Sequence, residues 1–211
     1  MNRLERIIVG IFISLACAAS FFIAGWWICA GLSIYRLLPV TDQEIATVAF
    51  SGLGLGIFLD ALCLRRWIAG FYDVDWRLAA PIYLYWVMIA TASFMGVPVG
   101  TLVLGTLAGL YLGCRYRHAG TSTVAFASQA RTASLVVALV TGIVSLGIGI
   151  LALREVWVLA DIQKIVGTGP GSATLVAGAG IVLVLCAVLV ALQYRCTSTA
   201  ATLAFRLGRQ T

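Results

Sequence analysis

Long apolar runs almost free of charge recur six times along the chain, and the charged side chains lie between them. The runs cover residues 7–35, 45–64, 78–95, 97–114, 132–153 and 172–193, and Asp60 is the only charged residue within them. A helix rises about 1.5 Å per residue, so roughly 20 residues cross a hydrocarbon layer about 30 Å thick. The pattern therefore predicts an all-α, polytopic integral membrane protein with six transmembrane helices.

Composition supports this prediction. The chain is 62% hydrophobic and 10% charged, whereas soluble domains carry about 25% charged residues. We expect one membrane domain over residues 1–211, located in the cell membrane and in contact with lipid. A secretory signal peptide is the alternative for the N-terminus, because Arg3 and Arg6 precede the first run. That run is longer than the roughly 7–15 apolar residues of a signal peptide, which favours a retained first helix.

The basic residues predict the orientation of the helices. With six crossings, eleven Lys and Arg residues lie on one side of the membrane and three on the other. The larger group is Arg3, Arg6, Arg65, Arg66, Arg77, Arg115, Arg117, Arg131, Arg195, Arg206 and Arg209. Basic residues concentrate on the cytoplasmic side, so both termini are predicted to lie there (N-in/C-in). These arginines also account for the net charge of +6 without a nucleic-acid partner.

The third and fourth runs meet with almost no polar residue between them. Gly96, Pro98 and Gly100 mark a candidate hairpin break there, because proline interrupts a helix and glycine permits tight turns. A single broken helix is the alternative. It would leave five crossings and place the six arginines from Arg115 onward outside, against the charge rule.

The connecting segments also carry patterns. Aromatic and charged residues alternate between residues 65 and 77, which favours an elbow at the head-group level. The segment after Arg154 has helical periodicity that we expect to stop near Val166, before a Gly-rich stretch. A faint internal echo relates residues 116–126 to residues 194–205. It indicates either a duplicated hairpin or chance similarity.

Small residues recur every four positions in the fourth run, at Thr101, Gly105, Gly109 and Gly113. Such a face lets another helix approach closely, and close van der Waals contact stabilises helix association in lipid. The face predicts either fixed, tight packing or a helix pair that slides.

Asp60 is the candidate polar site within the membrane. An ionisable residue in a span is costly, so it normally faces the bundle interior or a water-filled cavity and is a functional candidate. It lies five residues before Arg65. A structural ion pair with Arg65 or Arg66, or a hydrogen bond at the helix end, is therefore the alternative to a transport role.

The other candidate groups predict no catalytic centre, cofactor or metal site. His118 is the only histidine and lies in a basic segment, and the six cysteines include no CxxC motif. Hydroxyl groups within the runs have two alternative roles: they line a path for a polar solute, or they bond to the carbonyl groups of their own helices. These hydroxyls are Ser14, Ser20, Ser51, Thr91, Ser93, Thr101, Thr106, Thr141 and Ser145.

Three classes of function remain. We expect a small-solute transporter, channel or substrate-binding membrane subunit. The alternative is a non-catalytic membrane subunit or assembly factor, either a homo-oligomer or bound to a partner subunit. A lipid-modifying enzyme is least favoured, because no set of His, Asp, Glu or Lys converges.

Overall fold

Seven α-helices account for nearly all of the chain in a computed structural model, which describes residues 3–93, 99–166 and 172–207. A short 3₁₀ helix, Phe71–Asp73, follows the second α-helix, and the described residues contain no β-strand. The α-helices are α1 (Arg3–Ile34), α2 (Asp42–Ala69), α3 (Trp76–Ser93), α4 (Val99–His118), α5 (Thr123–Ala152), α6 (Val156–Val166) and α7 (Ser172–Leu207).

Four of the described helices are long and apolar enough to cross a membrane. They are α1, α2, α5 and α7, with mean hydropathies from 1.8 to 3.0. Helices α3 and α4 are shorter, at 18 and 20 residues, and do not reach the same combination of length and hydropathy. The prediction of an all-helical membrane protein is confirmed in this form. Six crossings and the N-in/C-in orientation stay predictions.

Local sequence signals explain where two of the long helices begin. At the start of α2, the Thr41 backbone N–H donates to Glu44 Oε2 at 2.8 Å, while Thr41 Oγ1 accepts from the Glu44 backbone N–H at 3.4 Å. This capping box satisfies two backbone donors that the first helical turn leaves free. At the start of α5, Ser122 Oγ accepts from the Ala125 backbone N–H at 3.4 Å.

Residues Met1–Val74 form one compact unit, in which α1 and α2 are antiparallel. Their backbones approach closely because glycine faces the partner helix. A Cβ at Gly25 would lie 3.1 Å from the Val48 carbonyl oxygen, and a Cβ at Gly56 would lie 2.8 Å from Ala18 Cα. The Tyr72 hydroxyl donates to Glu5 Oε1 at 2.8 Å, so the 3₁₀ helix is tied to the start of α1.

Residues Asp75–Thr211 form a second compact unit, in which α7 packs against α4, α5 and α6. Helix α5 is antiparallel to α7. Gly149 faces Val182 near one end of the pair, and Phe126 stacks on Phe205 at the other, with ring centroids 4.0 Å apart. Helices α3, α4, α5 and α7 contain no Asp or Glu. That the two units form one domain stays a prediction.

Several predicted boundaries differ from the observed ones. Helix α5 begins at Thr123, well before the apolar run at residue 132, and α7 continues to Leu207, well past residue 193. The expected helix before the glycine-rich stretch is described up to Val166, and residues 167–171 lie outside the described residues. Of the candidate hairpin break, Gly96 and Pro98 lie outside the described residues, while Gly100 is in α4. Helices α3 and α4 are separate and contact each other.

The two segments of the internal echo have different local structures. The first crosses from the end of α4 to the start of α5, with Gly120 at φ 63° between them. The second lies wholly within α7. Their clearest relation is direct contact, since Phe126 of one stacks on Phe205 of the other.

Candidate functional site

Asp60 lies on the face of α2 that packs against α1. Its side chain is 6% exposed. Gly56, one turn earlier, brings α2 against Ala18 of α1, so the helix contact that the glycine allows also covers the carboxyl group. Asp60 Oδ1 has no hydrogen-bond partner.

Cys17 of α1 lies near Asp60. Its sulfur lies 3.7 Å from the Gly56 carbonyl oxygen, which is the acceptor for the thiol. A thiol is a weak donor, so Cys17 gives little compensation to a carboxylate. In the described part of the chain no ion pair joins Asp60 to Arg65 or Arg66. Whether Asp60 acts in transport or in a structural ion pair or helix-end hydrogen bond stays a prediction.

The face formed by Thr101, Gly105, Gly109 and Gly113 lies against α7. A Cβ at Gly109 would overlap the Thr197 carbonyl oxygen and lie 3.1 Å from Ala200 Cβ. A Cβ at Gly113 would lie 2.6 Å from Ala204 Cβ. That this contact holds the bundle together stays a prediction.

Gln193 of α7 fills the space beside Gly105 and is completely buried. Its Nε2 donates to Thr197 Oγ1 at 3.3 Å, while its Oε1 has no hydrogen-bond partner. The sequence analysis missed this residue, because Gln193 was the last residue of an apolar run. The sequence did contain a signal, because Gln193, Thr197 and Ala201 recur every four residues. The glycines of α4 that pack against them have the same spacing.

Four of the nine hydroxyl groups considered as a polar path bond to their own helices instead. Ser20, Ser51, Thr106 and Thr141 each donate to the carbonyl oxygen four residues earlier, over 2.6–3.2 Å. This is the second of the two roles that the sequence allowed. Buried hydroxyls without a hydrogen-bond partner are found at Thr91, Ser134 and Ser145.

The remaining candidates show no convergence. His118 is exposed at the end of α4, with Nδ1 2.8 Å from the Cys114 carbonyl oxygen. None of the six cysteines forms a disulfide in the described structure. No group of His, Cys, Asp or Glu side chains within the described ranges is arranged to hold a metal ion.

Two open grooves lie on helix surfaces in the described part of the structure. One lies between α1 and α2, where Arg6, Ser14 and Leu64 are among its lining residues. The other lies between α4 and α7, beside Thr106 and Arg195. Neither groove is lined by Asp60 or Gln193.

The chain matches no protein-family model, and no curated protein or solved structure is significantly similar to it. The functional argument therefore depends on the geometry of its own residues.

Proposed function

We propose that the chain is a multi-pass protein of the cell membrane with both termini in the cytoplasm. The distribution of basic residues supports this orientation. So do the antiparallel pairs α1/α2 and α5/α7, since each pair can cross the membrane and return. A topology with six crossings and one with four both place the termini on the cytoplasmic side.

Within this class, we propose a small-solute transporter, channel or substrate-binding membrane subunit in which Asp60 takes part in moving a proton or cation. The observation that carries the proposal is the carboxyl group itself, 6% exposed with Oδ1 unpartnered. Burying an unpaired carboxylate is costly in an apolar environment. A structural role would provide compensating donors, whereas Oδ1 has none among the described residues.

The second candidate is a non-catalytic membrane subunit or assembly factor, as a homo-oligomer or with a partner subunit. The close helix packing beside the buried side chains of Asp60 and Gln193 favours this candidate. Backbone contacts at Gly56 and Gly109 leave little room beside Asp60 and Gln193. Such contacts suit a fixed scaffold better than a solute path.

The test compares Asp60→Asn with Asp161→Asn in sealed vesicles that contain the purified protein. Asp161 is a matched control, because it is exposed and pairs with the neighbouring Lys164 at 3.1 Å. Proton flux is followed with an enclosed pH-sensitive dye, and sodium flux with radioactive sodium. We expect Asp60→Asn to fold and to lose the flux that the wild type and Asp161→Asn support.

Two results would separate the candidates further. A stable Asp60→Asn protein with unchanged proton and sodium flux would contradict the role proposed for Asp60. Absence of any flux from the wild type, together with co-purification of a membrane subunit in native lipid, would favour the scaffold. Mass spectrometry of the native complex identifies that subunit or a retained small molecule.

A further inference from the structure

The position of α4 along α7 indicates how deeply α4 enters the membrane. Gly105 packs against Gln193 and Thr197, and Gly113 packs against Ala201 and Ala204. Two turns of α4 therefore match two turns of α7, so the helices are parallel with a constant offset. By this offset, the start of α4 at Val99 lies roughly level with residue 188 of α7.

Helix α5, by contrast, accompanies α7 along most of its length. Gly142 faces Val190 and Gly149 faces Val182, while the other end of the pair is fixed by the stacked rings of Phe126 and Phe205. About 16 residues of α7, or roughly 24 Å, lie beyond the start of α4 and are paired with α5 and α6 instead.

Charge decides which part of this assembly lies in hydrocarbon. If α4 crossed the membrane, the hydrocarbon layer would be level with the part of α7 that carries Arg195 and Arg206. It would also contain Arg131, because the neighbouring Ala130 lies in the same core cluster as Ala201. Each arginine at the bilayer centre costs about 2.5–3.5 kcal/mol or more.

The same placement would leave the most apolar part of α7 in water. The uncharged run from residue 172 to residue 193 is about 33 Å long, which matches the hydrocarbon thickness. The hydrocarbon layer therefore covers this run and the part of α5 beside it. Val99 then lies about 8 Å inside the cytoplasmic boundary, and the rest of α4 continues toward the cytoplasm.

Helix α3 fits the same arrangement. It begins at Trp76, which is 70% exposed and adjacent to Arg77, and its 18 residues span about 27 Å. It ends at Ser93, six residues before the start of α4 at Val99, and it contacts α4. The end of α3 therefore lies near the depth at which α4 begins.

We propose that α3 and α4 form a re-entrant hairpin that enters only the cytoplasmic leaflet and returns to the cytoplasm. The chain then crosses the membrane four times, through α1, α2, α5 and α7, and both termini remain cytoplasmic. Gln193, covered by Gly105 of α4, lies at the cytoplasmic boundary of the hydrocarbon. This topology goes beyond the proposed function and does not depend on Asp60.

The experiment measures the depth of a spin label in sealed, right-side-out vesicles. Ser93→Cys is labelled in full-length protein whose six native cysteines are replaced by alanine. A membrane-impermeant nickel chelate is added outside only, and its effect on spin relaxation is compared between variants. Glu155→Cys is the control for the outer side and Val124→Cys for the cytoplasmic side, since both residues are exposed.

We expect the label at Ser93 to be as insensitive to the outside chelate as the label at Val124. If α3 and α4 cross, the label at Ser93 will relax as fast as the label at Glu155, and this result would overturn the hairpin. Ala92→Cys, at the adjacent exposed position, is measured in parallel so that a folding defect in one variant does not decide the outcome.

Discussion

Substituting Gly109 tests whether the α4 contact with α7 stabilises the bundle. In Gly109→Ala the new methyl group would overlap the Thr197 carbonyl oxygen and lie 3.1 Å from Ala200 Cβ. The carbonyl oxygen belongs to the backbone of α7 and cannot rotate away as a side chain does. Relief of the overlap requires the two helices to separate, and this also weakens the contacts at Gly105 and Gly113.

The expected magnitude combines two opposing effects. Overpacking a tight contact costs about 1–3 kcal/mol, whereas replacing glycine by alanine inside a helix gains about 1 kcal/mol. Gly147→Ala isolates the second effect, because a Cβ there meets no other atom within 4 Å. We therefore expect Gly109→Ala to be less stable than Gly147→Ala by about 1–3 kcal/mol, and Gly109→Leu to be less stable still.

The free energy of unfolding in mixed micelles, measured by denaturant titration, provides the comparison. Leu110→Ala is a further control, since the Leu110 side chain is 40% exposed and its truncation leaves the helix contact intact. Equal free energies of unfolding for Gly109→Ala and Gly147→Ala would refute the reasoning. The contact of α4 at Gly109 would then have no energetic role in holding α7.

Two further predictions concern the same region. Cysteines introduced together at Gly109 and Ala200 should form a disulfide in membranes, because their Cβ atoms lie 3.1 Å apart and a small separation brings them into the roughly 3.5–4.5 Å range that a disulfide spans. A Gly109→Cys/Val182→Cys pair should not, and a cross-link of this pair on a non-reducing gel, lost on reduction, would contradict the register of α4 on α7. Phe205→Ala should lower the free energy of unfolding by about 3–5 kcal/mol, since Phe205 is 3% exposed. Leu203→Ala, at a position 51% exposed, should lower the free energy of unfolding much less. Similar decreases for both variants would mean that Phe205 is not part of a stabilising core.

Hydrophobic length and charge were enough to predict the helical class and the general location of each helix. The apolar runs mark the parts of α1, α2, α5 and α7 that suit hydrocarbon, and the end of α6 at Val166 follows from the glycine-rich stretch after it. These signals are local, since they depend on the residue types within one segment and on the solvent that each segment requires.

The ends of α5 and α7 were harder to predict, because polar residues are compatible with a helix once it leaves the hydrocarbon. Residues 194–207 remain helical since Ala201 and Phe205 are buried against Phe126 and Ala130. The buried position of Gln193 depends on the register between α4 and α7, which no single segment encodes. The burial of Asp60 depends equally on the α1 contact at Gly56.

The lack of Asp and Glu in α3, α4, α5 and α7 has a consequence for experiments in acid. Arginine, tyrosine and cysteine side chains all titrate well above neutrality in their ordinary ranges. The contact of Gly109 with Thr197 and Ala200 contains no ionisable group. Contacts such as Gly109 with Thr197 should be indifferent to acidification. They offer an internal reference against which an acid-induced change near Asp60 can be recognised.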